Sequence, residues 1–585
     1  MKTLRTLALT TLMLVTSVTI AACGGGGDST TSPTPNPDPG PKPVSSVQLS
    51  SAAPTLEVGG TVTLAATTRD AQNNVLNGRA IAWSSNAPQT ATVSATGTVV
   101  AVAAGVARVT ATSEGKSAEA VITVNAPAAV VASIEIGGAL DTLEAYDVRT
   151  LVALVKDANN QGIPGAAITW TSSNPAVATI GANDGVLTGI DRGTVTITAQ
   201  AGGKTHTVNR VVVIKYRSLA LGTQHACDLA SGGIAWCWGL NGTDARLGDD
   251  VVGDGLYRSS PVRVPGGHRF AQLVTFARFT CGLRLDGKAF CWGNNGWGAL
   301  GAGSGVGYSA TPLAVAGNIT FAKLSAGADH ACGITFANTT YCWGHNDWGQ
   351  FGIGTTASPT APLLAPTGLA LKAIQAGPAF SCGIAMNGAG YCWGASGLGQ
   401  MGDGTQISYG NTFRTVPTPI AGNHSFIALT LGYQFACGVT TTGSAYCWGS
   451  NGSRLGNGGT ADASAPVAVA GGHTFLQIAS GFGHSCAVTL AHDVYCWGSN
   501  SSGQVGAGGA SSQSPVLSAG GMKMAEVGVA GIGTGSGSFT CAVSENRLTT
   551  YCWGRNEFGQ LGNGTNSLPT AANPVPTIVV GQKPL

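Results

Sequence analysis

The cysteines are the residues whose type and spacing most plainly point to chemistry. Of the 15 cysteines, 14 lie after residue 226 and form seven pairs with nine intervening residues, or ten in the last pair. The pairs are Cys227/Cys237, Cys281/Cys291, Cys332/Cys342, Cys382/Cys392, Cys437/Cys447, Cys486/Cys496 and Cys541/Cys552. A zinc site would need C-x2-C spacing or histidine partners, which these pairs lack. We therefore predict seven disulfides and an oxidising compartment.

The neighbours of the cysteines predict how each pair is arranged. Two facing residues of a β-hairpin point to the same side, and their neighbours point together to the other side. Small residues flank the first cysteine, as Ala331 and Gly333 do, whereas aromatic residues flank the second, as Tyr341 and Trp343 do. We expect each disulfide to join one side of a hairpin, with tryptophan packed on the other side.

The histidines show no pattern of a catalytic or metal site. His225, His330 and His484 each stand two residues before the first cysteine of a pair. Other repeats have phenylalanine at that position, namely Phe279, Phe380, Phe435 and Phe539. Because histidine and phenylalanine share the position, we predict that it serves packing.

Carboxylates are sparse and follow no pattern that the repeats share. Asp249, Asp250 and Asp254 lie in one long loop and could hold a calcium ion, although a solvated loop is the simpler interpretation. The Gly-rich turns recur throughout, as structural turns do, and are not phosphate cradles. We predict no catalytic residue, no metal and no cofactor.

A sequence repeat indicates which strands position the cysteines. Cys-Trp-Gly recurs seven times at intervals of 49 to 56 residues, a period typical of propellers or solenoids. Each unit has a Pro-led segment, a Phe-x-x-Ile/Leu segment, a first cysteine strand and a Cys-Trp-Gly strand, followed by a Gly-rich turn. The fold class predicted here is all-β, with a seven-bladed β-propeller that has one disulfide per blade.

The turn carries a family resemblance. Residues 553–562 read Trp-Gly-Arg-Asn-Glu-Phe-Gly-Gln-Leu-Gly, which resembles the core of the regulator of chromosome condensation repeat. The resemblance covers 217–583 and implies a propeller, although 247–250 and 453–456 depart from the turn pattern. The best-known members of that family exchange nucleotide on a small GTPase and bind chromatin.

The phase of the repeat predicts how the ring closes. The first unit begins at Tyr216 without a Pro-led strand before it, and the chain ends with a Pro-led strand at 574–581 that no unit follows. We expect the C-terminal strand to complete the first blade, which would remove exposed strand edges. The propeller is predicted to span 216–583.

Two further domains are predicted before the propeller. Residues 63–86 recur at 150–174, with the two tryptophans 87 positions apart, and both copies place that tryptophan 13 residues after an aspartate. Segments of about 85 residues with short alternating strands are typical of β-sandwiches, and these resemble bacterial Ig-like domains of group 2. We expect Trp83 and Trp170 in their cores. The predicted boundaries are 44–125 and 130–215.

The N-terminus resembles a bacterial lipoprotein signal. Lys2 and Arg5 precede a mostly apolar stretch that ends in Ile-Ala-Ala-Cys, the arrangement of a secretory signal. We predict a signal peptide at 1–22 and lipidation of Cys23, which would anchor the chain without crossing the bilayer. An ordinary signal peptide with an incidental cysteine is the alternative.

A tether rich in glycine and proline follows the signal, at 23–43. Its alternating prolines favour extended polyproline II, with a reach of at most about 60 Å. The resemblance of the signal favours the outer membrane or the cell surface as the location.

Charge limits the class of partner. The chain has 29 Lys and Arg against 27 Asp and Glu, a formal net charge of +2, which offers no field for nucleic acid and no polybasic membrane patch. An exported protein also does not meet a cytosolic GTPase. We predict neither nucleic acid nor a GTPase as partner.

One position varies around the ring, six residues after the cysteine of each Cys-Trp-Gly. In chain order it is Thr243, Trp297, Trp348, Leu398, Ser453, Ser502 and Phe558. We expect Trp297, Trp348, Leu398 and Phe558 to form a mainly apolar arc that anchors a partner. Packing between blades is the alternative.

These observations predict a surface-exposed, lipid-anchored binding protein and not an enzyme. Its propeller would present a face that binds protein or glycan, with the Ig-like domains as a spacer. One alternative is an extracellular enzyme acting on envelope polysaccharide, which would need several carboxylates at the channel or on one face. Another is a structural adhesin.

Overall fold

The computed structural model describes residues 40–138, 142–303, 306–365, 368–405, 412–530, 538–568 and 571–581. The described part is all-β, and its helical elements are three 3-10 turns at Ser231–Gly233, Ala316–Asn318 and Ala519–Gly521. It contains no helix with the length and hydropathy needed to span a bilayer. The predicted signal peptide, Cys23 and the tether as far as residue 39 lie outside the described residues.

The chain divides near residue 129 into two compact units. The first is a β-sandwich with three small sheets, β2-β10-β9-β6, β1-β4-β5 and β3-β8-β7. Trp83 is partly buried and packs against its core. Its strands are β1 Ser46–Leu49, β2 Thr55–Glu57, β3 Thr61–Thr63, β4 Ala66–Arg69, β5 Val75–Leu76, β6 Ala82–Ser85, β7 Ala91–Val93, β8 Thr98–Ala101, β9 Gly105–Ser113 and β10 Lys116–Asn125.

The second unit begins with another sandwich of the same design. Its sheets are β12-β19-β18-β15, β11-β14 and β13-β17-β16, and Trp170 is buried in the core. Alternate residues of β18 are buried, the pattern of a strand with one face on a core. The strands are β11 Ser133–Gly137, β12 Thr142–Glu144, β13 Val148–Thr150, β14 Val152–Lys156, β15 Thr169–Ser172, β16 Ala178–Ile180, β17 Val186–Gly189, β18 Gly193–Ala201 and β19 Lys204–Val213.

Seven antiparallel four-stranded sheets follow, each made of four consecutive strands. We number these blades 1 to 7 in chain order. Blade 1 consists of β20 Tyr216–Leu221, β21 His225–Ala230, β22 Ile234–Leu240 and β23 Tyr257–Arg263, and blade 2 of β24 Phe270–Thr275, β25 Phe279–Arg284, β26 Ala289–Asn294 and β27 Tyr308–Ala314. Blade 3 consists of β28 Phe321–Ala326, β29 His330–Thr335, β30 Thr340–Gly344 and β31 Leu363–Leu364, and blade 4 of β32 Leu371–Ala376, β33 Phe380–Ala385, β34 Gly390–Ala395 and β35 Phe413–Pro419.

Blades 5 to 7 complete the propeller with the same strand order. Blade 5 consists of β36 Phe426–Leu431, β37 Phe435–Thr440, β38 Ala445–Gly449 and β39 Ala463–Ala468. Blade 6 consists of β40 Phe475–Ser480, β41 His484–Thr489, β42 Val494–Gly498 and β43 Ser512–Leu517. Blade 7 consists of β44 Met524–Val529, β45 Phe539–Ser544, β46 Thr550–Gly554 and β47 Thr577–Ile578. In every blade the second and third strands form the hairpin that carries the cysteine pair.

The prediction that the C-terminal strand completes blade 1 is wrong. Thr577 and Ile578 of β47 pair with Cys552 and Tyr551 of blade 7, and blade 1 takes its fourth strand from β23. The Pro-led strand therefore belongs to the blade whose cysteine hairpin precedes it. Each blade is thus complete within one stretch of chain.

All seven cysteine pairs are disulfide-bonded, one in each blade. From blade 1 to blade 7 the bonds are Cys227–Cys237, Cys281–Cys291, Cys332–Cys342, Cys382–Cys392, Cys437–Cys447, Cys486–Cys496 and Cys541–Cys552. In every hairpin the two bonded cysteines are direct cross-strand partners.

The register around the disulfides matches the predicted hairpin. In blade 3, Ala331 faces Trp343 and Gly333 faces Tyr341 on either side of the cysteine pair. Small residues therefore stand opposite aromatic ones across the hairpin.

Every interface between neighbouring blades combines the disulfide of one blade with the tryptophan of the next. Between blades 2 and 3, Cys281, Cys291 and Trp343 share one buried cluster, and six further clusters repeat this composition. The tryptophans are fully buried at Trp238, Trp292, Trp343, Trp393, Trp448, Trp497 and Trp553. The two faces of a blade thus have different roles, one holding the disulfide and the other the indole.

The Gly-rich turn of one blade receives the indole of the next. The Nε1–H of Trp393 donates to the carbonyl oxygen of Gln350 at 2.7 Å. Gly352 lies beside that ring with φ +69°, and a Cβ there would be 3.0 Å from Trp393 Cδ1. Glycine is needed at this position both for the left-handed backbone and for the space.

Blade 7 packs against blade 1 in the same manner. Trp238 shares a buried cluster with the disulfide of blade 7, and Thr550 Oγ1 donates to Asp228 Oδ2 at 2.6 Å. The backbone N–H of Leu219 donates to Glu526 Oε1 at 2.9 Å. Because neighbouring inner strands touch all the way round, the seven blades form a ring.

The second sandwich is joined to blade 1 by charged and aromatic contacts. Glu144 accepts from Lys215 Nζ at 2.7 Å and from Arg217 Nη2 at 2.9 Å. The guanidinium of Arg269 lies 4.0 Å from the ring centre of Tyr146 and donates to the carbonyl oxygen of Gly232. Burial raises the pKa of Glu144, but these two cations outweigh it and the net shift is downward.

Antiparallel strand order gives the propeller two distinct faces. The turns between second and third strands lie on one face, which we call the tip face. The turns before the second strand and after Cys-Trp-Gly lie on the opposite face, the loop face. Since Gly232 belongs to a tip turn, the second sandwich is attached on the tip face and leaves the loop face uncovered by that domain.

Candidate functional site

The fourteen disulfide cysteines are structural residues and take no part in a surface site. Each is at most 1% exposed, and each bond lies in a buried cluster between two blades. The second cysteines, which precede Trp-Gly, are fully enclosed in all seven blades, at Cys237, Cys291, Cys342, Cys392, Cys447, Cys496 and Cys552. Redox chemistry with an external thiol would need an accessible sulfur, so these bonds serve stability.

The histidines before the cysteine strands hold neighbouring blades together. His330 Nε2 lies 3.0 Å from Ser381 Oγ of the next blade. Because that hydroxyl donates to the carbonyl oxygen of Gln350, the histidine is the donor to it. His225 and His484 contact Thr280 and Thr540 in the same way.

These three histidines are neutral structural groups. Complete burial lowers the pKa of His225, His330 and His484 to about 3. They lie on separate interfaces, and the described residues hold no group of three or more His, Cys, Asp or Glu able to bind a metal. The position therefore serves packing and a hydrogen bond between blades.

The central channel is a cavity of about 270 Å³ bounded by the seven inner strands. Glu526 is the one carboxylate among its described lining residues. It accepts from the backbone N–H of Leu219 and lies 3.5 Å from Arg547 Nη1, and burial raises its pKa. Gln272 and Gln477 likewise bond the backbone of the next inner strand, so these polar side chains join neighbouring blades.

The loop face carries the four residues of the predicted arc. Trp297 in the turn of blade 2 is 49% exposed, and its ring lies 4.4 Å from that of His345 in blade 3. Trp348, Leu398 and Phe558 are half-buried. Trp348 meets the ring of Phe413 in blade 4 edge-on at 6.4 Å.

A cavity of about 410 Å³ opens between the loops of blades 3, 4 and 5. We call it the Trp348 cavity. Its lining includes Trp348, Pro378, Leu398, Thr412, Tyr433 and Gln434. None of its described lining residues carries a charge.

Two aromatic residues of the Trp348 cavity each contact a ring that is not part of its lining. The ring of Phe413 meets that of Trp348 edge-on, and the ring of Phe482 in blade 6 packs against Tyr433 at 4.8 Å. Gln434 has a left-handed backbone with φ +65°, a conformation that costs free energy in a residue with a side chain and is concentrated at binding sites.

The structure brings together two residues of the arc and separates the others. Trp348 and Leu398 line one cavity, whereas Trp297 lies in the preceding blade and Phe558 lies in blade 7. Tyr433 was missed in the sequence, although it occupies another variable position, four residues before the first cysteine. At that position Thr223, Ala277, Ala328, Pro378 and Phe482 occur in other blades.

Family models match both halves of the chain. The bacterial Ig-like domain (group 2) matches 43–124 and 145–212. The regulator of chromosome condensation (RCC1) repeat matches 321–350, 426–454 and 475–504 with one model, and 286–334 and 549–583 with another.

Curated proteins resemble part of this chain. Ultraviolet-B receptor UVR8 of Arabidopsis thaliana is 29% identical over 148 residues, 25% of this chain and 33% of that protein. Human E3 ubiquitin-protein ligase HERC2 is 29% identical over 158 residues, 25% of this chain but 3% of that protein. The chain therefore spans a third or less of the length of these curated relatives.

A solved structure shows the same fold. Prp20p of Saccharomyces cerevisiae superposes with a TM-score of 0.50 and 21% identity, over 57% of this chain and 84% of that one. The matched repeats lie within the ring of blades described above. The chain carries bacterial Ig-like domains at its N-terminal end and regulator of chromosome condensation repeats in its C-terminal propeller.

Proposed function

We propose that this protein is a surface-exposed binding protein whose loop face holds a protein or glycan ligand. The observation that supports it is that the half-exposed indole of Trp297 and the uncharged Trp348 cavity both lie on the face opposite the second sandwich. Exposed aromatic residues at rigid turns are typical anchors of binding faces. The Ig-like domains would act as the spacer that holds this face away from the cell.

Two observations favour the extracellular setting. Bacterial Ig-like domains and seven disulfides both indicate an extracellular protein. The proposed lipid on Cys23 would then hold the folded domains within reach of the membrane, at a distance set by the tether. Replacement by Cys23→Ser should release the chain from the membrane fraction into the soluble one, and retention in the membrane fraction would contradict the anchor.

The relatives support recognition of a macromolecule. Prp20p is described by its binding to Gsp1p and histones, and interaction is the property that we carry over from propellers of this type. We do not carry over those partners, because the net charge of +2 offers no field for nucleic acid and the proposed export removes a GTPase.

Catalysis has weaker support in the same geometry. Hydrolysis of a glycan commonly needs two carboxylates flanking the scissile bond, whereas Glu526 is the single carboxylate in the described channel lining and is bonded to blade 1. The proposal therefore assigns binding and no reaction.

The test compares two faces of one propeller. The full chain, immobilised, is used to capture envelope and secreted material, and a captured component is then purified and titrated directly. We expect Trp297→Ala and Trp348→Ala to weaken its binding at least tenfold with an unchanged melting temperature.

Phe336→Ala is the matched control, because Phe336 is 74% exposed on the tip face. It removes an exposed aromatic residue of similar size and should leave binding unchanged. Equal binding by all three variants would overturn the proposed role of the loop face.

A further inference from the structure

We infer that the Trp348 cavity binds an uncharged sugar residue of a glycan. This inference rests on the proposed role of the loop face and names the chemistry of its ligand. The cavity combines aromatic walls, free hydrogen-bonding capacity and an absence of charge in its described lining.

The uncharged lining of the cavity disfavours charged ligands. A sulfated or uronic sugar, a phosphate or an acidic peptide would leave its charge in the cavity without a counter-ion, at a large desolvation cost. No lysine or arginine belongs to the described lining. A neutral ligand meets no such cost.

The aromatic walls fit the shape of a sugar ring. A pyranose has one or two flat faces made of C–H groups, and these faces pack on aromatic rings as other apolar surfaces do. Trp348 and Tyr433 supply two rings on different blades, and each contacts a further aromatic ring, Phe413 and Phe482 respectively. Pre-ordered walls lower the entropy that binding must remove.

The side-chain amide of Gln434 favours a sugar over an apolar protein side chain as the ligand of the cavity. This amide makes no hydrogen bond to another residue in the described part of the chain, although it lines the cavity. An apolar anchor would cover it without a partner, at a large desolvation cost. Sugar hydroxyls both donate and accept, so they can satisfy its N–H and C=O together.

Calorimetric titration of the full chain tests the inference. The probes are chitohexaose and maltohexaose, which are uncharged, polygalacturonate, which is anionic, and N-acetylphenylalanine amide, which imitates a protein side chain. We expect at least one uncharged oligosaccharide to bind at least tenfold more tightly than polygalacturonate or the phenylalanine derivative.

Three variants locate the binding. Trp348→Ala and Tyr433→Ala should each weaken oligosaccharide binding tenfold or more. Gln434→Gly removes the amide but tolerates φ +65° without strain, so it should weaken binding while its melting temperature equals or exceeds that of the parent. Phe336→Ala, on the tip face and outside the cavity, should leave oligosaccharide binding unchanged.

Two results with the oligosaccharides would overturn the inference. One is no detectable binding of either uncharged oligosaccharide at millimolar concentration, and the other is binding that Trp348→Ala and Gln434→Gly leave intact. Tighter binding of the phenylalanine derivative would assign the cavity to a protein side chain instead. In each case, loss of the captured partner with Trp297→Ala would still support the loop face as a binding face.

Discussion

The sandwiches and the propeller solve the same packing problem in different ways. Both place a left-handed glycine against a tryptophan: Gly185 lies against Trp170 in the second sandwich, and Gly402 lies against Trp448 in the propeller. In the sandwich both residues belong to one domain, and the sequence of that domain contains no cysteine. In the propeller the indole comes from the next blade, and a disulfide lies across from it.

The difference follows from the size of the unit that must be stable. A sandwich encloses a core between its own sheets, whereas a single four-stranded blade has two faces that only neighbours can cover. The propeller therefore repeats one interface seven times, with the disulfide fixing each hairpin locally and the indole joining it to the next. Its stability is spread over equivalent interfaces and depends on all of them.

Reduction of the disulfides should produce the largest difference in stability between the sandwiches and the propeller. A short loop closed by a disulfide contributes about 2–3 kcal/mol, so the loss of seven approaches or exceeds the usual stability of a domain, about 5–15 kcal/mol. We expect a strong reductant to abolish the calorimetric transition of the propeller while the transition of the cysteine-free sandwiches persists. A propeller transition that survives complete reduction, verified by mass spectrometry, would contradict this.

Acid pH should have the second-largest effect, by lowering the stability of the propeller. His225, His330 and His484 have a normal pKa near 6.5 when unfolded and about 3 when folded, so the unfolded state gains their protons first. Their contribution is complete above pH 6.5 and is lost as the pH falls toward 3, by about 1.4 kcal/mol per pH unit for each histidine.

Denaturant titrations between pH 6.5 and 4.5 measure this effect. The matched variant His330→Phe/Ser381→Ala removes one of the three histidines, and its stability should fall less steeply by about 1.4 kcal/mol per pH unit. Identical slopes for the variant and the parent would show that His330 is not held neutral.

A pair of glycines in one turn tests the fit of the indole. Gly402 has φ +69° and a Cβ there would lie 2.6 Å from Trp448 Nε1, whereas Gly404 has φ +78° and its nearest neighbour would be 3.9 Å away. We expect Gly402→Ala to lower the free energy of unfolding by about 2–4 kcal/mol, from backbone strain and crowding together.

Gly404→Ala is the control, because it adds the backbone strain without the clash. It should cost about 1 kcal/mol, as measured by denaturant unfolding. Equal losses for the two variants would mean that the turn, and not the neighbouring indole, demands glycine at position 402.

The sequence was sufficient for features that repeat within one hairpin. Cysteine spacing and the alternation of small and aromatic neighbours predicted the register of Cys332 with Cys342, since both are set by strand geometry. The phase of the Pro-led strand was mispredicted, because a periodic sequence reads the same whether that strand precedes or follows its hairpin. Only the pairing of Thr577 with Cys552 distinguishes the two.

The Trp348 cavity could not be predicted, since it depends on distances between blades. Trp348 and Tyr433 are 85 residues apart and belong to blades that do not pair by backbone hydrogen bonds. Variation six residues after the second cysteine points to Trp348 and Leu398, and variation four residues before the first cysteine points to Tyr433 and Phe482. The fold alone brings these two positions of the repeat to one cavity.

The smallest expected effect concerns the two kinds of interface within the propeller. Where histidine precedes the cysteine strand, the next blade supplies a hydroxyl, whereas Phe380 meets Ala436 of the next blade. In one further interface, phenylalanine stands before the cysteine strand and the next blade supplies Ser485. The hydroxyl of Ser485 lies 2.9 Å from the hydroxyl of Ser480 in its own blade. A hydroxyl in each case thus has a polar partner.

Removal of one hydroxyl tests this matching. Ser381→Ala alone would leave the ring nitrogen of His330 buried without its partner, because the two atoms lie 3.0 Å apart inside the interface. We expect it to lower the free energy of unfolding at pH 7 by about 1–3 kcal/mol, as measured by denaturant titration.

The double variant His330→Phe/Ser381→Ala converts this interface to the apolar kind that blade 4 already forms with blade 5. We expect it to recover most of the loss at pH 7, so that a double-mutant cycle gives a coupling of about 1–2 kcal/mol. Additive losses would show that histidine and phenylalanine are not interchangeable solutions. Recovery would mean that the blades require a complementary pair at this point, polar or apolar, and that the histidine itself has no further role.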